Sequence, residues 1–188
     1  MMTKNITQEK ERLRKEITSI KKKCTSEELY NRSEEVLSVL EITGAFQEAK
    51  TIFIYNSLND EVQTSDFIRK WSNKKDFYLP VVAGEDIVFR LYTPSTDFQQ
   101  SSLGIMEPVG DDYTEYGKVD LVIVPGVAFD RKLNRMGRGK GFYDRFLPRV
   151  PATKIGICFD FQLFDSIPTE PNDIKMDFVV SENDLIWK

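Results

Sequence analysis

Glycines alternate with cationic residues over one short segment of the sequence, Gly137, Arg138, Gly139, Lys140 and Gly141. Glycine lets the backbone approach a ligand closely and reach positive φ, so that successive N–H groups can form an anion nest. Arginine and lysine add full charges that suit phosphate oxygens. The segment therefore predicts a polyphosphate site, although its spacing is neither that of a Walker A loop nor GxGxxG. The alternative is a solvated turn whose charges are incidental.

The residues on either side of this segment extend the pattern. Arg135 adds a third cation, and Asp144 lies just inside a helix predicted over GFYDRFL. A carboxylate there can complement the helix N-terminus and pair with an arginine, or it can bind magnesium carried by a nucleotide. The residues alone leave these two roles open. Phe142 and Tyr143 are more typical of packing residues than of ligand contacts.

The charge of the chain is concentrated in two segments. Of the 188 residues, 26 are basic and 30 acidic, for a net charge of −4. Residues 131–149 nevertheless carry seven basic residues against one acidic, and residues 4–23 carry eight against three. Two narrow basic segments in an acidic chain favour a focused anion site over a broad nucleic-acid surface. The alternative for residues 4–23 is the solvated face of a helix.

Composition excludes several classes of protein and of catalysis. The sequence has no histidine, which excludes a Ser-His-Asp triad, a Cys-His dyad and histidine-based zinc sites. Its two cysteines make no disulfide framework, and no apolar run reaches the ~20 residues that span a bilayer. No secretory signal opens the chain. We therefore expect a cytoplasmic protein with no membrane partner.

Hydrophobic periodicity predicts helices before the first strand. Leu13, Ile17 and Ile20 recur at helical spacing, which indicates an amphipathic helix over residues 7–23. Thr25 with Glu28 forms a capping box that begins a second helix. We expect that helix to end at Gly44.

Apolar runs rich in β-branched and aromatic residues predict strands, and helices separate several of them. The alternation predicts an α/β fold, a single domain over residues 1–188 with a mainly parallel central sheet flanked by helices in a Rossmann-like, three-layer arrangement. Ligands bind such sheets beyond the carboxyl ends of the strands, which places the loops 56–63 and 125–141 on one edge. The predicted strands cover residues 51–55, 77–82, 87–92, 120–126, 154–159 and, as the last, 177–180.

The sequence LNRMGRGKGFYDR at 133–145 closely resembles the signature of the 5-formyltetrahydrofolate cyclo-ligase family, also called methenyltetrahydrofolate synthetases. Further matches occur in the same order and spacing along nearly the whole chain. They are KERLRKEI at 10–17, SLNDEVQT at 57–64, GIMEP at 104–108, DLVIVPGVAFD at 120–130 and NDIKMDFVV at 172–180.

The resemblance implies an activity, two substrates and a metal. It implies the ATP- and Mg²⁺-dependent cyclisation of 5-formyltetrahydrofolate to 5,10-methenyltetrahydrofolate, with release of ADP and phosphate. The formyl oxygen would be phosphorylated first. Such chemistry needs charge neutralisation and positioning rather than a histidine base. The expected partners are a reduced folate and ATP, with no nucleic acid, and the expected state is a monomer.

The resemblance also implies roles for particular residues. Glu61 would bind the pterin, and Asp144 and Asp173 would bind magnesium; without the resemblance Glu61 and Asp173 would be ordinary surface acids. Arg138 and Lys140 would be the catalytic residues. The folate would contact Arg138, Gly139, Lys140, Gly141 and Phe142. The residues that would bind ATP are Lys10, Arg14, Arg135, Met136, Gly137, Arg138, Gly139, Lys140, Gly141, Phe142 and Tyr143.

Two other functions remain open from the residues. The same scaffold could serve as a non-catalytic domain that binds a phosphorylated metabolite, since fold does not fix function. Nucleic-acid binding through the two basic segments is the other possibility, and the overall acidity argues against it. A dehydrogenase is disfavoured because GxGxxG after an N-terminal strand is missing.

Overall fold

The structure, a computed structural model, describes residues 2–101 and 104–188. Its helices are α1 (Met2–Lys21), α2 (Ser26–Glu41), α3 (Gly44–Glu48), α4 (Ser65–Trp71) and α5 (Phe142–Phe146). Its strands are β1 (Thr51–Ile54), β2 (Asp76–Ala83), β3 (Asp86–Tyr92), β4 (Phe98–Gln100), β5 (Met106–Pro108), β6 (Leu121–Val124), β7 (Ala128–Asp130), β8 (Arg135–Met136), β9 (Thr153–Ile157), β10 (Leu163–Phe164), β11 (Phe178–Val180) and β12 (Leu185–Trp187).

A seven-stranded sheet in the order β12-β11-β9-β6-β1-β2-β3 forms the centre of the fold. The strands from β11 to β2 pair in parallel, and the two edge strands, β12 and β3, pair antiparallel with their neighbours. The predicted mainly parallel sheet is confirmed. The strand predicted over residues 120–126 is β6, in the middle of the sheet, where all four residues are buried.

The strand order reverses direction between β1 and β6. From β1 the chain builds the sheet outward through β2 and β3, then returns to add β6, β9 and β11 on the other side of β1. Open α/β sheets bind ligands at such a switch point, in the crevice beyond the carboxyl ends of the two strands. The loops that leave β1 and β6 are the two that the sequence places together, residues 56–63 and 125–141.

Alternate residues of each strand enter two different hydrophobic clusters. Ile52 and Ile54 of β1 pack into a cluster with α2, α3 and α4, whereas Phe53 packs on the other face with Phe146 of α5. This alternation follows from the two-residue period of a strand. The sheet is therefore covered by helices on both faces, and the predicted three-layer arrangement is confirmed.

Helix α1 packs away from the central sheet, on a small sheet of the order β10-β7-β8. Ile17 is buried there with Ala128 and Met136, and Leu13 and Ile20 pack against the same cluster. These are the residues whose spacing predicts the helix. Because α1 buries this face, Lys10 and Arg14 reach the edge of the central sheet where β1 and β6 end. None of the helices in the described ranges is both long and apolar enough to cross a membrane.

Some predicted boundaries were wrong. The capping box of Thr25 and Glu28 is present, but α2 ends at Ile42 in a right-handed conformation, and Gly44 begins α3 behind the N-cap Thr43. Strand β12 follows residues 177–180, which therefore do not form the last strand. Strands β7 and β8 form within residues 125–141, which were predicted as a loop, so that prediction was wrong for those residues. The hairpin of β4 and β5, and strand β10, are further elements without a sequence prediction.

A buried aromatic ring fixes the start of the loop after β6. Phe129 of β7 is fully buried, and its ring lies against Gly126 on one side and Gly156 of β9 on the other. A Cβ at either glycine would overlap the ring, so the ring cannot move away from one without meeting the other. Glycine is required at both positions by this close approach.

We expect Gly156→Ala to lower the free energy of unfolding by about 2–3 kcal/mol, because overpacking a close-packed core forces ring or backbone shifts. Urea unfolding followed by circular dichroism measures the change. Gly117→Ala is the matched control, since a Cβ there meets nothing within 4 Å, and it should change stability by less than about 0.5 kcal/mol. Equal stability of the two variants would contradict the packing described for Phe129.

Candidate active site

A cleft of about 1330 Å³ lies beyond the carboxyl ends of β1 and β6. It is bounded by α1, the loop after β1, the glycine segment, the first residues of α5 and the stretch 170–174. Every residue given a site role from the sequence lines this cleft. They are Lys10, Arg14, Glu61, Arg135, Met136, Gly137, Arg138, Gly139, Lys140, Gly141, Phe142, Tyr143, Asp144 and Asp173.

The turn before the glycine segment is organised by the buried carboxylate of Asp130. Its Oδ1 accepts hydrogen bonds from the backbone N–H groups of Lys132 and Asn134, each over 2.9 Å. Its Oδ2 accepts from Asn134 Nδ2 at 2.8 Å and from the N–H of Ile167 at 3.1 Å. These bonds shape the tight turn between β7 and β8, and β8 then delivers Arg135 to the floor of the cleft.

The glycine segment adopts backbone angles that favour glycine. Gly139 has φ of +94° and Gly141 has φ of +70°. Gly141 is also the N-cap of α5. The expectation of positive φ in this segment is therefore confirmed at two of its glycines. Arg14 Nε donates to the Gly137 carbonyl over 3.0 Å, which ties α1 to the segment. The exposed backbone between these points can approach a ligand closely.

Lys10 of α1 forms ion pairs in the cleft with acidic residues from the C-terminal part of the chain. Its buried ammonium donates to Asp173 Oδ2 over 2.6 Å and to Glu170 Oε2 over 2.8 Å. Asp173 Oδ2 also accepts the backbone N–H of Glu170 at 2.7 Å. A predicted phosphate-binding cation and a predicted metal ligand are thus held in direct contact.

Arg135 lies beneath the glycine segment, with only 3% of its side chain exposed. Its Nη2 donates to Asp144 Oδ1 over 2.8 Å and its Nη1 to the Pro125 carbonyl over 3.2 Å. Asp144 Oδ1 also accepts the N–H of Ile174 over 3.4 Å, which brings Asp144 next to Asp173. Arg135 therefore holds Asp144 in the cleft, the arginine pairing that the sequence left open beside magnesium binding.

Arg138 spans from the glycine segment to the loop after β1. Its Nε donates to Glu61 Oε1 over 3.0 Å and its Nη2 to Asp60 Oδ1 over 2.6 Å. Asp60 Oδ2 in turn accepts from Lys21 Nζ over 3.3 Å. Although burial works against both charges, the Lys21 ammonium and the Arg138 guanidinium lower the pKa of Asp60, and the two carboxylates raise the pKa of Arg138.

Lys140 differs from the other cations of the cleft. Its side chain is exposed and makes no hydrogen bond or ion pair with any residue in the described ranges. Met136, by contrast, is buried in the cluster under α1, and its carbonyl accepts the N–H of Val127 over 2.7 Å. The ammonium of Lys140 is thus free to meet an anion.

The opposite end of the cleft combines apolar walls with acceptor and donor groups. Glu107 is only 4% exposed, and its Oε1 accepts the N–H of Val82 over 3.1 Å. The Tyr143 hydroxyl is buried without a partner among the described residues, and burial, then Glu61, raise the pKa of that phenol. Tyr143 therefore remains a hydrogen-bond donor. The apolar residues at this end include Pro80, Val82, Ile87 and Ile105.

Several acidic residues of the cleft or its rim were missed from the sequence, among them Asp60, Glu107 and Glu170. Glu107 lies in the segment GIMEP, which supports the family resemblance, but the resemblance gave Glu107 no role. Asp60 precedes Glu61 directly, so the charged pair in SLNDEVQT was a signal that it shares the site. No local pattern predicts the contact of Glu170 with Lys10, because 160 residues separate them.

The donor chemistry of the cleft fits a magnesium ion that arrives with a nucleotide. Asp144 and Asp173 each use one carboxylate oxygen in the contacts above and keep the other without a partner in the described part of the chain. Within that part, no cluster of three or more carboxylate, thiolate or imidazole groups could hold a metal by itself. Mg²⁺ commonly binds one or two carboxylates and completes its shell with phosphates and water.

Comparison with known proteins identifies the family. A profile of the 5-formyltetrahydrofolate cyclo-ligase family matches residues 6–182. The chain belongs to the 5-formyltetrahydrofolate cyclo-ligase family. The family resemblance seen in the sequence is thereby confirmed, as is the prediction that the chain is an enzyme.

Individual relatives cover most of this cyclo-ligase family chain. The 5-formyltetrahydrofolate cyclo-ligase of Haemophilus influenzae is 31% identical over 179 residues, which are 90% of this chain and 96% of the relative. That of Escherichia coli K12 is 33% identical over 74% of this chain and 81% of the relative. The solved structure of Aquifex aeolicus 5,10-methenyltetrahydrofolate synthetase has a TM-score of 0.85 at 34% identity, over 95% of this chain and 92% of that one.

Proposed function

We propose that this enzyme converts 5-formyltetrahydrofolate into 5,10-methenyltetrahydrofolate and consumes ATP, releasing ADP and phosphate. Family membership supports the reaction class. The observation that carries the proposal is that one cleft has two chemically different ends, a cationic glycine segment and an apolar end with carboxylates.

The cationic end suits the triphosphate. Arg138 and Lys140 project from the glycine segment, and Lys10 and Arg14 approach it from α1. The segment offers backbone N–H groups at Gly139 and Gly141, where positive φ opens the chain toward the ligand. Guanidinium and ammonium groups neutralise the negative charge that the transferring phosphoryl group and its leaving oxygen carry.

The other end suits a reduced pterin. A pterin is flat, and its amino and ring N–H groups donate hydrogen bonds. Glu61 and Glu107 supply acceptors for such donors, whereas Pro80, Ile87 and neighbouring residues supply apolar walls. The folate would place its formyl group between these walls and the glycine segment.

The reaction follows from the meeting of the two substrates. The formyl oxygen attacks the γ-phosphorus of ATP, and the bond to ADP breaks. The bridging nitrogen of the folate then attacks the activated formyl carbon and loses its proton, the ring closes, and the carbon–oxygen bond breaks to release phosphate. Phosphorylation has turned a poor leaving group into a good one. Arg138 and Lys140 would stabilise the charge that develops on the phosphoryl oxygens in the first step.

Asp144 and Asp173 would hold Mg²⁺, which when bound neutralises charge on the nucleotide phosphates. We expect Asp144→Asn to raise the magnesium concentration for half-maximal rate at least about tenfold, the smallest effect usual even for residues that only support a metal ligand. Steady-state rates titrated with Mg²⁺ at fixed ATP measure it. Asp165→Asn, a fully exposed carboxylate, is the control. An unchanged magnesium dependence would remove Asp144 from the metal site.

The proposed activity is tested by following the absorbance of the methenyl product. Purified protein is incubated with 5-formyltetrahydrofolate, ATP and Mg²⁺, and each component is omitted in turn. We expect product only in the complete mixture, with one ADP formed for each product molecule. Folded protein that binds nucleotide but yields no product would contradict the proposed activity and favour the non-catalytic binder.

A further inference from the structure

Resting on the proposed function, we propose that Arg138 alternates between Glu61 and a bound phosphate, and that Asp60 is the pivot. Nucleotide binding would draw the guanidinium away from Glu61 and clear that carboxylate for the pterin. Asp60 is then a positioning residue, because it acts on the reaction only through Arg138.

Both carboxylate oxygens of Glu61 already have a partner in the structure. Its Oε2 accepts the N–H of Leu58 over 3.1 Å, which fixes the side chain to its own loop. Its Oε1 accepts Arg138 Nε over 3.0 Å, and Arg138 Nη2 lies 3.0 Å from the same oxygen. A pterin that donates to Oε1 of Glu61 would therefore compete with Arg138. Since the Glu61 side chain is only 11% exposed, loss of this charged contact has a cost when the folate binds alone.

Asp60 holds the other side of the guanidinium. Its Oδ1 contacts Arg138 Nη2 at 2.6 Å, and its Oδ2 contacts Lys21 Nζ, whose side chain is only 5% exposed at the end of α1. A fixed, buried lysine anchors Asp60, whereas the Arg138 side chain is 46% exposed and rises from a glycine-flanked position. The Arg138 guanidinium can thus leave Glu61 at Nε while Nη2 stays on Asp60.

A phosphate in the glycine segment gives Arg138 a second anion to meet. Arg138 lies between Gly137 and Gly139, in the part of the backbone that would surround the phosphates, and Arg14 approaches the same part. Phosphate oxygens accept bidentate hydrogen bonds from arginine as carboxylates do. Each substrate therefore favours the position of Arg138 that the other needs, and by linkage each must tighten the binding of the other to the same extent.

The test is the affinity for 5-formyltetrahydrofolate with and without a saturating non-hydrolysable ATP analogue, measured by calorimetry. We expect the analogue to tighten folate binding of the unaltered enzyme by about fivefold or more. In Arg138→Ala the ratio of folate affinities with and without the analogue should fall to about one, because no guanidinium is bound to the Glu61 carboxylate. Arg131→Ala removes an exposed cation of the same basic segment outside the cleft and should keep the full factor.

The pivot is tested through Asp60→Asn. We expect kcat to fall about tenfold with the KM for ATP unchanged, because Arg138 would no longer be held where it meets the phosphoryl group. Asp60→Glu should restore part of the loss. If Asp60 only stabilised its loop, Asp60→Asn would lower the melting temperature without lowering kcat at an unchanged KM for ATP. That result would overturn the positioning role proposed for Asp60.

The outcomes separate this inference from the function on which it rests. An enzyme that binds no 5-formyltetrahydrofolate under either condition overturns both. An enzyme that binds it with the same coupling factor in Arg138→Ala, or with a factor of one before any substitution, overturns the alternation of Arg138 and leaves the proposed function intact.

Discussion

The Arg138→Ala enzyme is expected to lose at least about 100-fold in kcat while it stays folded. Removing one group that stabilises transition-state charge commonly costs 10²–10³ in rate, and arginines in phosphoryl transfer often contribute more. The side chain is half exposed, and its ion pairs with Asp60 and Glu61 lie at the rim of the cleft, so the cost in stability is small. Single-turnover formation of the methenyl product and thermal unfolding measure the two effects.

Arg138→Lys makes the experiment sharper. Lysine keeps the positive charge but not the planar fork that contacts two anions at once. We expect it to recover only a small part of the lost rate. Full activity of the lysine variant would mean that charge alone suffices, and an unfolded alanine variant would mean that Arg138 is chiefly structural.

Lys140→Ala is expected to lower kcat by a similar factor, about 100-fold, with no measurable change in stability. Within the described ranges, the other cations of the cleft are held by hydrogen bonds or ion pairs, and Lys140 is not. Lys140 makes no hydrogen bond or ion pair with the described residues, so folding does not depend on it, and its exposed ammonium is available to a phosphate. Parallel rate and unfolding measurements check this.

The control for Lys140 is a lysine that is also exposed but lies outside the cleft. Lys132→Ala removes a charge from the same basic segment and should leave the rate within about twofold, since surface substitutions away from special features have small effects. If both lysine variants lost activity equally, the loss would reflect the overall field of the segment rather than a specific contact of Lys140.

The sequence was sufficient to predict the central sheet and the location of the cleft. Long buried runs such as residues 120–126 carry a strong apolar signal, and β6 lies in the middle of the sheet as that signal implies. The loops after β1 and β6 could be placed together because parallel strands share their carboxyl edge. The face of α1 was predictable because Leu13, Ile17 and Ile20 follow the helical period.

The elements that sequence reasoning missed are mostly two or three residues long. Strands such as β8 (Arg135–Met136) and β10 (Leu163–Phe164) are shorter than the four to eight residues that periodicity needs. They exist because tertiary contacts pair them with β7, not because of local propensity. Gly44 was misassigned for a related reason: a glycine after a helix resembles a stop, but Thr43 instead caps α3 through the N–H of Phe46.

The pairing of charges within the cleft was beyond reach of the sequence. Lys10 meets Asp173 across 163 residues, and Arg138 meets Asp60 across 78. The resemblance supplied most of these residues as separate ligands of ATP, folate or magnesium. The structure adds that cations and carboxylates of the site contact one another. Those ligand roles remain proposals for this chain.

The central claim is that the glycine segment surrounds a triphosphate next to a reduced pterin. A crystal structure of the enzyme with a non-hydrolysable ATP analogue, Mg²⁺ and 5-formyltetrahydrofolate tests it most directly. We expect phosphate density against Gly137–Gly141 within hydrogen-bond reach of Lys140, and the pterin on Glu61 with Arg138 turned away. Triphosphate density outside this cleft, or a pterin far from Glu61, would contradict it.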